Sequence, residues 1–220
     1  MVTTTPEAVC DASARLRGLL GRLDRHEGFG EVIASLAAGH AATLDGVWGS
    51  ACSLAAARLI EHTPSTLMLV CAELSGVDRL IDDLALFTSV AVERFPGWES
   101  WPPQQVLHDE VLGERIRLLK QLAGGTPPRI LVAAVESLMQ PAPDRATLQR
   151  HTRRVAAGKD VSLTDLAQWF AAAGLHHTTA VELPGEFSVR GGIVDVFAPD
   201  WETPARIELF GDEVESIRQF

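Results

Sequence analysis

Cysteine is scarce in this chain. Cys10, Cys52 and Cys71 are odd in number and scattered. That excludes a disulfide framework and gives no metal-ligand spacing, and it points to reduced thiols in a cytoplasmic protein. Long apolar runs are missing too. No stretch of about 18 apolar residues occurs, so no membrane-spanning helix is expected. The opening residues, Met1-Val-Thr-Thr-Thr-Pro-Glu7, have neither a basic start nor an apolar core, and no secretory signal is visible in them. Basic charge is in short supply. Lys and Arg number 19 against 29 Asp and Glu, a net charge of -10. Phosphate binding relies on clustered Lys and Arg, so this stretch is not expected to grip nucleic acid by itself. What remains is ordinary: 220 residues, 46% hydrophobic and 22% charged, enough for one or two domains with a sizeable core.

Residues 5–26 predict a helix. Thr5 is a candidate N-cap, Pro6 suits the first helical position, and Glu7 favours the positive end of the helix dipole. Leu16, Leu19, Leu20 and Leu23 recur at helical spacing. A shorter helix follows over Phe29–Ala38. From Ala41 strands and helices alternate: a strand over Ala42–Val47, a helix over Ser50–His62, and a strand over Thr66–Ala72 whose unbroken apolar run implies burial on both faces. A helix over Leu74–Phe87, a strand over Val90–Phe95, a helix over Asp109–Leu122 and a buried strand over Arg129–Val135 complete the series. Such alternation predicts an α/β fold, a mostly parallel sheet flanked by helices. The proline-bearing loop Pro141-Ala-Pro-Asp144 breaks the pattern, and a domain boundary is placed near residue 150. Residues 151–220 then predict a smaller α+β domain: a polar strand-like run, a helix over Leu163–Leu175, and an antiparallel sheet.

That sheet is the most informative stretch. Gly185-Glu-Phe-Ser-Val-Arg-Gly-Gly-Ile-Val-Asp-Val-Phe197 and Ala205-Arg-Ile-Glu-Leu-Phe-Gly-Asp-Glu-Val-Glu-Ser-Ile-Arg218 are short alternating runs divided by Gly-Gly, Pro199-Asp200 and Gly211-Asp212. These are signals of consecutive antiparallel strands with tight turns. Parity sends Phe187 and Val189 to one face and Glu186, Ser188 and Arg190 to the other. It sends Ile207 and Leu209 to the core and places Arg206, Glu208 and Phe210 together on the opposite side. An exposed aromatic beside arginine is the composition of a protein-binding patch. The alternative is that Phe210 tucks under a neighbouring loop and the arginines are merely solvated.

Gly46-Val-Trp-Gly-Ser-Ala-Cys-Ser53 sits where a phosphate loop would sit, between the first expected strand and its helix. Gly46 and Ser53 fit the first and last positions of that motif, and Gly49 lies inside it. Ala51 stands where the second glycine belongs and adds a Cβ to the path of a phosphate. Cys52 stands where the lysine belongs and supplies no cation for the β- and γ-phosphates. The loop reads as a remnant kept for folding, as a weak anion site resting on a helix N-terminus, or as coincidence. Other candidates resolve to structure. Asp109, within His108-Asp-Glu-Val111, is an N-cap rather than one of a magnesium-binding pair. His176-His177 is a solvated turn without a third metal ligand. Asp82-Asp83 is the wet face of a helix. No catalytic or metal-binding set can be assembled.

Pro184 to Phe197 followed by Arg206 to Arg218 resembles the bacterial transcription-repair coupling factors and, more distantly, the excinuclease component UvrB. Phe95-Pro-Gly-Trp-Glu-Ser-Trp-Pro102, Glu114-Arg-Ile-Arg-Leu-Leu119 and Glu136-Ser-Leu-Met-Gln140 extend the likeness to the coupling factors. In both families this module docks the excinuclease component UvrA. The family pattern has an Arg before the Gly pair, an Arg opening the next strand and an aromatic four residues on, which fall on Arg190, Arg206 and Phe210. The resemblance also implies a nucleotide-domain relative that has lost its phosphate loop. It implies ATP, magnesium, RNA polymerase and double-stranded DNA as ligands of downstream domains rather than of this stretch. The strand-like pattern still running at Phe220 leads us to expect the front end of a longer protein or a truncated product. The competing expectation is a fragment of a UvrB-like helicase that keeps nucleotide binding.

Overall fold

The computed structural model describes residues 14–99 and 109–220. The chain divides into two compact units, Met1–Gly97 with Pro127–Met139, and Trp98–Thr126 with Gln140–Phe220. The boundary expected near residue 150 falls inside the second unit.

The first unit carries α1 (Leu20–Leu23), α2 (Glu27–Ala37), α3 (Ser50–His62), β1 (Leu67–Cys71), α4 (Ser75–Phe87), β2 (Val92–Phe95), β3 (Ile130–Ala134) and α6 (Val135–Met139), with α5 (Glu110–Ala123) lying between β2 and β3 in the chain. The caps expected at Thr5, Pro6 and Glu7 lie outside the described residues. The rest of the first predicted helix is helical over 14–17, turns at 18–19 and resumes as α1. The three strands form a parallel sheet in the order β1-β3-β2, with Leu67 and Val92 both level with Ile130. Central β3 is buried at every position, as its apolar run requires.

Two strand expectations fail. The apolar run Thr66–Ala72 predicts burial on both faces, yet β1 is an edge strand with Met68 and Val70 exposed, because only its alternate residues reach the helices. Ala42–Val47 forms no strand. Its small residues offer little apolar surface to a sheet, and a turn with Gly46 at φ 73° ends any extended run. Ala56, Ala57 and Ile60 of α3, with Val77, Leu84 and Phe87 of α4, pack on Ile130 and Val132 to make the core. Arg129 closes the C-terminal end of α3, donating to the carbonyls of Ile60 at 3.0 Å, Thr63 at 2.9 Å and Ser65 at 3.1 Å.

The second unit holds α5, α7 (Arg145–Arg150), α8 (Leu163–Ala172), β4 (His176–His177), β5 (Glu186–Arg190), β6 (Ile193–Phe197), β7 (Ala205–Phe210) and β8 (Glu213–Gln219). Helix α5, expected on the parallel sheet, groups here instead. Its Gly113 meets the loop after β6: a Cβ at that position would stand 2.2 Å from the Pro199 carbonyl oxygen, so only glycine permits this approach. Lys120 adds an ion pair to Asp200 at 2.7 Å.

The sheet order is β4-β5-β6-β7-β8, antiparallel except for the parallel β4–β5 pair. Its inner face packs Phe187, Val194, Val196, Ile207, Leu209 and Val214 against Leu166 and Phe170 of α8. Burying that set removes enough apolar area to hold α8 on the sheet without help from its modest length. The polar run after residue 150 is not a strand; only Asp160 makes an isolated bridge, to Glu213. His176-His177, expected as a turn, is strand β4, with the His177 ring 5.0 Å from that of Phe187.

Candidate docking surface

The face of the five-stranded sheet that α8 leaves uncovered gathers the residues that parity singles out. Register puts them in rows. Ser188, Asp195, Arg206 and Arg218 stand level across β5 to β8. Arg190, Ile193, Glu208 and Ser216 form the next row, and Phe210 pairs with Glu213 at the hairpin end. Directly opposed residues in antiparallel strands share a face, so Arg190, Arg206 and Phe210 lie on one side of the sheet. The register shifts between Glu208 and Leu209, opposite Ser216 and Val214, which leaves Glu215 as the extra residue of a bulge and keeps Val214 in the core.

Phe210 is 82% exposed, so it does not tuck under a loop. It ends β7 beside the Gly191-Gly192 turn. Gly191 has φ 59°, and a Cβ at Gly192 would lie 2.5 Å from the carbonyl oxygen of Leu209. The turn next to the ring is therefore built for close backbone approach. Arg206 donates through Nε at 2.6 Å and through Nη2 at 2.7 Å to the two carboxylate oxygens of Asp195. This fork geometry is the strong form of the arginine–carboxylate pair. The hydrogen bond and charge of Asp195 push the Arg206 pKa above its ordinary value, with Glu208 adding to the effect. The Phe220 ring centroid lies 5.2 Å from the guanidinium carbon of Arg206. Glu208 accepts from the Ser216 hydroxyl at 2.8 Å and pairs with Arg218. Arg190 donates to the carbonyl oxygen of Thr179. Ser188, on this face by register, is buried.

Sequence reasoning misses Asp195 and Phe220. Parity alone turns Asp195 outward between Val194 and Val196. Placing it level with Arg206 requires the length of the β6–β7 connection, which composition does not disclose.

The stretch before α3 has a different character. Gly46 and Gly49 take φ of 73° and 57°, the positive values a glycine turn allows. The amides of Ala51 and Cys52 donate to the carbonyls of Trp48 at 3.3 Å and Gly49 at 3.0 Å. The Cys52 thiol is exposed, 3.6 Å from the carbonyl oxygen of Val47, and Ser50 donates to the Asp83 carboxylate at 2.9 Å. Ser53 is fully buried, and its hydroxyl has no hydrogen-bond partner among the described residues. The strand that should precede a phosphate loop is missing, as described above.

Elsewhere, Asp109 caps α5 by accepting from the Leu112 amide at 2.8 Å, as its position predicts, and also accepts from the Trp98 indole at 3.0 Å. Asp82 is exposed on α4. Among the described residues no group of three His, Cys, Asp or Glu could hold a metal ion, and no helix is long and apolar enough to cross a membrane.

Comparison with known proteins bears on the same region. A family model described as the UvrB interaction domain matches residues 154–220, the stretch that contains α8 and all five strands of the sheet. The chain is 34% identical over 200 residues to the transcription-repair-coupling factor of Myxococcus xanthus, a match covering 87% of this chain. It is 32% identical over 179 residues to that of Bacillus subtilis, covering 80%, and 29% identical over 185 residues to that of Escherichia coli, covering 83%. The chain belongs to the transcription-repair coupling factor family. It spans only 17%, 15% and 16% of the length of those three coupling factors. The coupling-factor likeness takes in both units, whereas the interaction-domain match is confined to the second.

Proposed function

We propose that this chain is the portion of a transcription-repair coupling factor that recruits UvrA, and that the open sheet face is where UvrA docks. Phe210 fills an apolar pocket on the partner. Arg190 and Arg206 engage acceptors around it, so that the ring is the anchor and the guanidiniums fix its orientation. The observation that carries this reading is the Phe210 ring, 82% exposed on the same sheet face as Arg190 and Arg206 in the region that matches the UvrB interaction domain. A single exposed aromatic is common on protein surfaces, and what favours recognition here is that the ring shares its face with Arg190 and Arg206, the composition of an interface anchor.

The chain itself is not an enzyme in this reading. ATP-driven translocation, with ATP and magnesium, and engagement of RNA polymerase and double-stranded DNA belong to other parts of the longer family members. Together they deliver the repair machinery to polymerase stalled at damage in the cytoplasm. The loop Gly46, Gly49, Ala51, Cys52 and Ser53 is a degenerate phosphate loop without a cofactor. Supporting this, the amides of Ala51 and Cys52, which would face a phosphate, are committed to nearby carbonyls, and the Asp83 carboxylate sits at Ser50, where an anion would be repelled.

The reading is tested by capturing UvrA on the wild-type chain, Arg206→Ala and Phe210→Ala. Loss of capture by both variants is expected, and equal retention by all three refutes the assigned face. Calorimetry with ATP and magnesium is expected to show no binding. A micromolar affinity would instead favour a UvrB-like fragment that keeps its nucleotide.

A further inference from the structure

Resting on the docking role just proposed, we propose that Asp195 is the positioning residue of the docking face. It holds Arg206 as a charge-neutralised donor plate on the same face as Phe210, with Glu208 between them along β7, while Arg190, the arginine of this face with no carboxylate partner among the described residues, meets a partner carboxylate.

Three arginines share the open face, and they are prepared differently. Arg206 is clamped by both oxygens of Asp195 and covered on one side by the Phe220 ring. Arg218 is paired with Glu208. Arg190 is exposed and bonds to a backbone carbonyl, and it has no carboxylate within ion-pairing distance among the described residues. A carbonyl holds a guanidinium in place without cancelling its charge, whereas a carboxylate does both. Seen from a few ångströms away, the Arg206–Asp195 and Arg218–Glu208 pairs are close to neutral. Glu213, level with Phe210, is exposed and adds a negative charge to this face, so what sets Arg190 apart is that it is the one arginine here without a carboxylate partner among the described residues.

The paired state suits Arg206 to a different task. An unrestrained arginine loses much rotamer freedom when a partner fixes it, and here that loss has already occurred in the free protein. Nε and one Nη2 hydrogen point at Asp195, which leaves the Nη1 edge for the partner. A neutral acceptor, such as a backbone carbonyl or a hydroxyl, fits that edge better than a second carboxylate, which would meet the repulsion of Asp195. The partner surface implied is an apolar pocket for Phe210, carbonyl or hydroxyl acceptors opposite Arg206, and one carboxylate opposite Arg190. Charge pairs of the Arg190 kind govern association rate and salt dependence, while pre-formed short-range contacts govern dissociation.

Simple electrostatics predicts the opposite effect for Asp195. Removing an acid from a surface that binds an acidic partner should strengthen attraction. Positioning predicts that it weakens binding.

The experiment is surface-immobilised kinetics of the chain against purified UvrA at low and moderate salt, with melting temperatures recorded for each variant. Asp195→Ala is expected to raise the dissociation rate about tenfold, with Asp195→Asn, which keeps one acceptor, falling between it and wild type. Arg190→Gln is expected to slow association several-fold at low salt and flatten the salt dependence, leaving dissociation nearly unchanged. The double change Asp195→Asn with Arg206→Gln, which removes the pair without altering net charge, is expected to speed dissociation with the salt slope intact. Asp195 variants that bind as tightly as wild type or tighter overturn the proposal, as does a double variant that flattens the salt slope as much as Arg190→Gln. Should Asp195→Ala melt early, the decision passes to Asp195→Asn, whose shape is unchanged. Absence of binding by the wild-type chain overturns the docking role itself, an outcome distinct from either result.

Discussion

The two compact units use the same ingredients in opposite ways. In the first, the helices α2, α3 and α4 begin at His26, Gly49 and Leu74, none of which accepts a side-chain cap bond. In the second, α5, α7 and α8 each begin at a side chain that does accept one: Asp109, Asp144 and Ser162. The first unit buries its central strand completely, and the second leaves the outer face of its sheet partly open, with Arg190 and Phe210 exposed. The comparison separates two sources of order. Helices of the first unit are held by apolar packing against a buried strand, and the N-terminal ends of α2, α3 and α4 have no side-chain cap. Those of the second are fixed end by end through specific polar bonds, which leaves a sheet face free for recognition without loss of definition.

The largest effect expected concerns the core that backs the docking face. Leu166 is fully buried between α8 and the sheet. Leu166→Ala is expected to cost about 2–5 kcal/mol in denaturant unfolding. Hydrogen exchange should quicken over α8 and β5–β8 and stay unchanged over β1–β3. Equal acceleration in both sheets would show that the cores are not separate and break the comparison at its root.

Next in size is Phe210→Ala. Because the ring is exposed in the free protein, its removal should leave the melting temperature unchanged. Binding of UvrA should weaken by about 2 kcal/mol or more. A stability loss of that size would mean the ring packs within the chain and the open face is not a recognition surface.

The caps offer a mirrored pair of changes of about 1 kcal/mol. His26 has the extended backbone of an N-cap, at φ -89° and ψ 114°, with no side-chain bond to α2. His26→Asp should raise stability by about that amount. Asp109→Ala should lower it by a similar or larger amount, because the Trp98 indole also loses its acceptor. Both are read by thermal melting. If His26→Asp gives nothing, packing alone sets the start of α2 and side-chain caps are not what the first unit lacks.

What is legible in the sequence follows the same division. The helix Ser50–His62 is readable to the residue and Ser75–Phe87 to within one, because apolar spacing against a single buried strand is a local signal. Asp109 is recognisable as a cap from its place before an apolar run. The outward set Arg206, Glu208 and Phe210 follows from parity, since a strand's period needs no knowledge of its neighbours. Pairing is what the sequence does not disclose. The burial of β1 depends on its lying at an edge, and the place of α5 depends on Gly113 meeting Pro199, far away in sequence. Asp195 beside Arg206 depends on strand register. The expected strand over 42–47 fails for a local reason instead, because the turn at Gly46 ends the extended run.

The smallest effect expected is a pH dependence at the start of α7. The Asp144 carboxylate accepts from the Thr147 amide at 2.7 Å. Hydrogen bonding from the Thr147 side chain and backbone, helped by the charge of Arg150, holds its pKa below the ordinary carboxylate value. A depressed folded-state pKa means that the group favours folding once the pH is above its unfolded pKa. That contribution fades as the pH falls through the lower, folded value. Asparagine caps a helix about as well as aspartate but does not titrate in this range. The stability of Asp144→Asn should therefore sit slightly below wild type at neutral pH and draw level as the pH falls through the depressed folded-state pKa of Asp144. Taking the difference between the two proteins removes the titration of every other carboxylate. A difference that stays constant across that range would mean the Asp144 charge adds nothing to its hydrogen bond, and that the caps of the second unit act by shape alone.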